Sequence, residues 1–428
     1  MKTVEEFFKA NDFVEACDID RQDLISKFLS EMEKGLAGEE SSLRMIPTYV
    51  GVDGKIPQGA KAAVLDAGGT NFRSAIVSIP PVIEDKVNQP MPGTCGEVDE
   101  DSFYKAFADE LNRVKDKATV SKFGFCFSYN CDATEDLDAK LNVWTKGIQA
   151  PSIVGQYIGK ELLKRLGGGS IAIINDTVAT LLAAKAMEGD KTYSSYLGFI
   201  LGTGTNTAYV ERNNNITKLQ GLDAGGSMII NSESGGFDKI KRSAFDISMD
   251  ARQPDPGHNP FEKMIAGGYL GGVGLELFKA AAKEGFFSRQ ATDAINGLGC
   301  LETIDFDNFT AGMVKEGRVN PLDTIFEDPA DAKMARRLAL PVFERAAVLT
   351  AIHLAAFVIK SGGGIDSARP VAINADGSTY YKTRAVEFDK LVRAELDEML
   401  VKRRNIHYAI VPQVDDAPMV GAAIAAML

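Results

Sequence analysis

Three short segments of this 428-residue chain carry side chains suited to phosphate and alcohol chemistry. In Asp66-Ala67-Gly68-Gly69-Thr70-Asn71-Phe72-Arg73, two adjacent glycines after an apolar run let backbone N–H groups close on phosphate oxygens, which a Cβ would hinder. Thr70 adds a hydroxyl donor. The carboxylate of Asp66 could hold a hydrated Mg²⁺, an ion that takes a few carboxylates plus water and phosphate oxygens. Gly202-Thr203-Gly204-Thr205 offers a second cradle of the same kind, so two loops could clamp one polyphosphate. Asn175-Asp176-Thr177 sets a carboxylate directly after the apolar run Ile171 to Ile174, at the strand end where α/β proteins bind ligands. Asp176 could accept the proton of an attacking alcohol. Plainer accounts compete: an exposed Asp in an ordinary hairpin turn, and Asp176 or Thr177 as a helix N-cap.

Ser128, Thr145, Lys146, Asn175, Asp176, Asn206, Glu233 and Glu262 supply the hydroxyls, amides and carboxylates that a polyol needs, because each unsatisfied buried polar group costs ~1–3 kcal/mol. Sequence spacing alone does not gather them into one site.

The elements that must position these residues alternate in type. Leu24, Ile25, Phe28, Leu29 and Met32 at helical spacing predict an amphipathic helix over 20–34 with Gly35 as its stop. Ala62 to Leu65 and Arg73 to Ile79, around the first Gly turn, predict a hairpin. A helix is expected over 102–117, a strand over 123–128, then an irregular acidic segment from Asp132 to Asp138. Helix 153–166, strand 171–174 and helix 178–187 follow, the alternation of an α/β protein. A second hairpin, 196–201 and 206–211, echoes the first: LDAGGTNFRSAIV against ILGTGTNTAYV suggests a duplicated lobe. The remainder reads as mainly helical with a strand over 371–374, ending in a small-residue helix, 419–427.

The length predicts two or three domains, here two large lobes. An apolar fraction of 45% with 25% charged residues is that of a soluble globular protein. The start, MKTVEEFFKANDF, lacks the basic and apolar regions of a signal peptide, which predicts a cytoplasmic protein. The most apolar stretch, Ala346 to Ile359, falls short of the ~20 residues of a membrane span and is expected to be a buried helix, so no membrane partner is predicted. Five cysteines without a CxxC pair read as reduced thiols, and a net charge of −12 excludes nucleic acid as an expected partner. None of His258, His353 and His407 sits in a metal-binding or catalytic pattern.

Taken in order, these segments resemble the hexokinase family, which includes glucokinase. Leu43 to Val50 resembles its lead-in, and Leu65 to Arg73 its LDLGGTNFR phosphate loop, with Ala67 in place of Leu. Phe125 to Ser128 and Trp144 to Gly147 resemble its FSF and WTKG sugar segments, and Asn175 to Val178 its catalytic NDTV. The resemblance continues through 202–206, 231–233, 259–264 and 376–380, nearly the whole chain.

It implies a two-lobed actin-like, ribonuclease H-like α/β sugar kinase fold with a central cleft. The small lobe would comprise 60–175 plus 417–428, and the large lobe 1–59 plus 176–416. It implies Asp176 as general base for the 6-hydroxyl of a hexose, glucose first among them, with Lys146 close to the reacting centre and ATP and Mg²⁺ as cofactors. Ser128, Thr145, Lys146, Asn175, Asn206, Glu233 and Glu262 would bind the sugar. Asp66, Gly68, Gly69, Thr70, Asn71, Arg73, Gly202, Thr203, Gly204 and Gly421 would lie on the nucleotide side, Asp66 holding the metal through water. A monomer or homodimer is expected.

The sequence departs from the family at Tyr129 for Phe, Asn130 for Pro, Ser234 for the Trp of EWG, and Ala417 to Ala423 for GSGKGAA. These touch the sugar pocket and the adenosine segment. Two other classes stay open at this point: a sugar sensor without turnover, and an actin-like ATPase that needs neither Trp144-Thr145-Lys146-Gly147 nor the Glu233/Glu262 pair.

Overall fold

The computed structural model describes residues 2–54, 58–144, 147–186, 192–314 and 317–428. Strand β1 (Ile46–Pro47) precedes a first sheet made of β2 (Lys61–Ala67), β3 (Asn71–Ser78), β4 (Val82–Pro90), β5 (Lys122–Phe127) and, after a small ribbon, β8 (Ser170–Ile174). The ribbon is β6 (Asn130–Ala133) paired with β7 (Ala139–Val143). The second sheet comprises β9 (Ser195–Leu201), β10 (Thr205–Arg212), β11 (Ser227–Asn231), β12 (Val371–Asp376) and β13 (Tyr408–Ile410), with β1 at its edge.

The sheets share one topology. The first runs β4-β3-β2-β5-β8, an antiparallel meander followed by two parallel strands. The second runs β11-β10-β9-β12-β13 with the same directions. Duplication, suggested by one short echo in the sequence, thus extends to strand order.

Period-2 alternation sorts the first sheet's residues. Ala63, Leu65, Phe123 and Phe125 meet Phe103, Phe107 and Leu111 of the helix Glu100–Ala118. Ala62, Val64, Cys126 and Ile174 belong to a second cluster with Val420, Ala423 and Ile424 of the C-terminal helix Ala417–Met427. Buried on both faces, these strands read as near-continuous apolar runs. The second sheet likewise lies between the helix Pro329–Lys360 and the helix Asp176–Ala186.

The helices that follow β8 and β13 are exchanged. Asp176–Ala186 packs on β9, β10 and β12 of the second sheet, and Ala417–Met427 on β2, β5 and β8 of the first. The two helices also touch each other. A Cβ built on Gly421 would stand 2.0 Å from the Ala179 carbonyl oxygen, so only glycine permits this crossing.

Several local expectations change. The helix Arg21–Ala37 runs through Gly35, which lies buried in it, and stops at Gly38 with φ 76°, where a residue without Cβ is at ease. The segment 132–138 is part of the β6–β7 ribbon. The helix expected from Ile153 starts at Ile158, after a 3₁₀ turn (Pro151–Ile153) and Gly155 at φ 86°. Ala346–Ile359 is the inner half of a 32-residue helix, long and apolar enough to cross a membrane, whose most apolar window is 89% buried inside the protein.

Candidate active site

A cleft of ≈ 800 Å³ opens between the sheets, and its floor is made by the carboxyl ends of β5, β8, β9 and β11. Ser128, Asn175, Asp176, Asn206, Glu233 and Glu262 line it together, with Gly68, Thr203 and Gly204. A second cavity of ≈ 490 Å³ is lined by Gly202, Gly267, Gly268, Ser378 and Lys382, and Thr203 belongs to both. Thr145 and Lys146 lie outside the described residues.

The helix after β8 begins at Asp176, but the cap is Asn175. Its carbonyl accepts the Ala179 N–H (2.9 Å), and its side-chain oxygen accepts the Thr177 N–H (3.0 Å) and the Thr177 hydroxyl. Asp176 is the first helical residue, half-buried, where the positive end of the helix dipole favours a carboxylate.

Across the cleft, Asn206 organises the carboxylates. Its Nδ2 donates to Asn231 Oδ1 (2.8 Å), Thr177 Oγ1 (3.2 Å) and Glu233 Oε1 (3.4 Å), and its Oδ1 accepts the N–H of Thr207 and Ser234. Asn231 Nδ2 donates to the same Glu233 oxygen at 2.8 Å. Glu233 sits at φ 55°. Burial pushes its carboxyl above the ordinary range, an effect that Asn231 and Arg44 oppose and Asp176 reinforces. Glu262 accepts the Thr205 N–H (2.8 Å) and the Tyr269 hydroxyl (3.2 Å), and is also raised by burial. Two half-buried carboxylates rich in neighbouring donors and acceptors suit hydroxyl groups better than cations.

Asp66, at the end of β2, is buried beside the turn that carries Gly69, Thr70 and Asn71, and Arg73 pairs with it from β3. No cluster of three or more potential metal ligands exists among the described residues. A lone carboxylate at a glycine turn fits a metal that arrives with a nucleotide and keeps its own water and phosphate ligands. Of the residues expected on the nucleotide side, Gly68, Gly202, Thr203 and Gly204 line the two cavities, whereas Asp66, Gly69, Thr70, Asn71, Arg73 and Gly421 line neither, and Gly421 is buried in the crossing with Ala179.

Some site residues escape sequence reasoning. Asn231 and Tyr269 hold the two glutamates. Asn259, at φ 48°, lines the cleft from a loop anchored by buried Lys263, whose Nζ meets Asp250 Oδ1 (2.7 Å) and Asp255 O (2.8 Å). Arg44 reaches Asn130 Oδ1 and Asp132 Oδ1 at 3.4 Å each. Among the departures, the Tyr129 hydroxyl donates to the Gly69 carbonyl (3.2 Å), and Ser234 is buried with its hydroxyl unpartnered. His353 is buried among Phe28, Phe199, Phe261 and Phe357, 3.2 Å from Thr207 Oγ1; burial lowers its pKa to about 3.

Two family models, both described as hexokinase, match residues 9–186 and 196–428. Hexokinase-1 of Schizosaccharomyces pombe is 29% identical over 435 residues, covering 94% of this chain and 86% of that protein. Hexokinase-3 of Mus musculus is 30% identical over 393 residues, 86% of this chain and 41% of that longer protein. A solved hexokinase from Schistosoma mansoni complexed with glucose superposes over 100% of both chains with a TM-score of 0.74 at 24% identity, a likeness of fold.

Proposed function

Since the chain belongs to the hexokinase family and is a sugar kinase of that family, we propose that it transfers the γ-phosphoryl group of ATP to the 6-hydroxyl of a hexose, glucose first among them, with Asp176 as general base. The observation that carries this reading is the arrangement of the two cavities: the one with Asp176 and the polyol-type side chains shares Thr203 with the one lined by Gly202 and Ser378. Sugar in the first and nucleotide in the second would place acceptor and donor on either side of that residue.

In this mechanism Asn175, Asn206, Glu233 and Glu262, with Ser128 and Thr145, orient the hydroxyls of the sugar. Asp176 receives the 6-hydroxyl proton as the oxygen attacks phosphorus, and Lys146 is assigned to the reacting centre by the family resemblance alone. Mg²⁺ carried on the nucleotide, held through water by Asp66, would neutralise phosphate charge. Such transfer has little covalent work for the protein, and positioning supplies most of the rate. The lobes divide as 60–175 with 417–428, and 1–59 with 176–416, a division supported by the exchanged helices.

The test is a coupled assay of ADP release from Mg·ATP, without sugar and with glucose, fructose, mannose, galactose or N-acetylglucosamine. Sugar-dependent release with a 6-phosphate product is expected, and Asp176→Ala lowers turnover by roughly 10²–10⁴-fold while sugar binding persists. Sugar-independent hydrolysis would favour an ATPase. Sugar-induced change in Trp144 fluorescence with no turnover would favour a sensor.

A further inference from the structure

Arg73 commits its guanidinium to two carboxylates from opposite ends of the chain. Nε (3.0 Å) and Nη2 both donate to Oδ2 of Asp66, while Nη1 donates to Oδ1 of Asp416 at 2.7 Å. Asp416 precedes the C-terminal helix at φ 51°, and its side chain caps none of that helix's N–H groups. Both its oxygens instead meet Lys86 Nζ, each at 2.7 Å. The side chains of Asp66, Arg73 and Asp416 are 10%, 31% and 22% exposed, so water and salt screen these pairs less than surface ones.

The guanidinium is a rigid planar fork. Holding Nη1 therefore holds Nε and Nη2, and with them the carboxylate of Asp66, whose Oδ1 stays outside the ion pair. The C-terminal helix packs on β2, β3 and β5 of the first sheet, so Asp416 enters the pair from an element fixed against the strands that carry Asp66 and Arg73.

We propose that Asp416 is a positioning residue for phosphate transfer: through Arg73 it sets the orientation of Asp66, and so the affinity of the site for the magnesium-bound form of the nucleotide. The inference rests on the reading above that Asp66 faces the metal-bearing phosphates.

The decisive variant is Asp416→Asn, because Asn is one of the few residues at home at positive φ yet offers only a neutral acceptor. Calorimetric ADP affinity in Mg²⁺ should fall roughly tenfold or more, the loss of a charge-assisted hydrogen bond, and KM for Mg·ATP should rise to match. ADP affinity in EDTA and the sugar-induced fluorescence of Trp144 should stay within about twofold, well inside the effect of one such bond. Asp416→Glu should recover most of the loss, and Lys86→Met should leave nucleotide affinity at the parent's level. Should thermal melts show Asp416→Asn unfolded, Arg73→Lys, which keeps the charge without the fork, should give the same magnesium-dependent loss.

The proposal is overturned if the folded variant binds Mg·ADP as the parent does, if the loss is equal with and without Mg²⁺, or if Lys86→Met matches Asp416→Asn. A parent that itself binds no ADP refutes the proposed function, and the inference with it, and its own titration tells that case apart.

Discussion

Asn231→Ala isolates one brace of the sugar pocket. Asn231 spans 2.8 Å to Glu233 Oε1 and 2.8 Å to Asn206 Nδ2, and its hydrogen bond is the main influence opposing the burial that raises the Glu233 carboxyl. After truncation, Asn206 Nδ2 retains Thr177 Oγ1 and a long 3.4 Å contact to Glu233, which therefore keeps its weaker donor and loses its stronger one. A hydrogen bond to a charged group is worth about 1.5–3 kcal/mol, so kcat/KM for the hexose should fall roughly 10- to 150-fold. KM for ATP should hold, because neither partner lines the second cavity.

The pH profile supplies an independent readout. A protonated Glu233 offers a sugar hydroxyl only a neutral, weaker acceptor, so hexose affinity falls on the acid side. Removing a donor that stabilises the carboxylate moves that limb to higher pH than in the parent. The assay is ADP release over a matrix of sugar, ATP and pH, beside Trp144 fluorescence titration of the sugar. A kcat/KM within about threefold of the parent, less than the weakest such bond supplies, or a parallel rise in the KM for ATP, would refute the reasoning.

Three further outcomes follow from packing and charge. Gly421→Val brings a side chain into the 2.0 Å gap at the Ala179 carbonyl and should cost about 3 kcal/mol or more, read as a lowered Tm. Asp246→Asn leaves Arg345, 2% exposed and bound to both Asp246 oxygens at 2.7 and 2.8 Å, without its counter-charge, which should cost roughly 3–5 kcal/mol in urea unfolding. His353 takes no proton in the fold until about pH 3, whereas the unfolded chain takes it near the ordinary 6.5; its contribution is present above pH 6.5 and lost on acidification. His353→Leu should remove a stability slope of about 1.4 kcal/mol per pH unit below 6.5, and an unchanged slope would contradict a neutral buried ring.

Both hairpins were legible because Gly/Thr turns stand between β-rich runs, and period-2 burial then fixed their faces. The helix Arg21–Ala37 reads short in the sequence because Gly35 resembles a stop, yet its buried position is a helix interior and the left-handed exit belongs to Gly38. The acidic stretch before Asp138 hid a ribbon because its first strand, Asn130–Ala133, is too short for a strand signal, although the pairing is local: Ala133 pairs with Ala139, and Thr134 and Leu137 close the turn between them. In the site, Asp176 and Asn175 stood out at a strand end. Asn231 did not: it meets Asn206 only because β10 and β11 pair Ala208 with Asn231, which sets the two amides diagonally on one face. Asp416 is less legible still, since its partner is 343 positions away.

The exchange of the helices Asp176–Ala186 and Ala417–Met427 makes neither half of the chain self-sufficient. Each half ends in a helix whose apolar face is shaped for the other's sheet, the arrangement of a domain-swapped pair written into a single polypeptide. The break between the two matched segments, 9–186 and 196–428, is consequently not a boundary between folding units. Two polypeptides divided there carry mutually missing parts, and the molecule is suited to split-protein complementation rather than to dissection into autonomous modules.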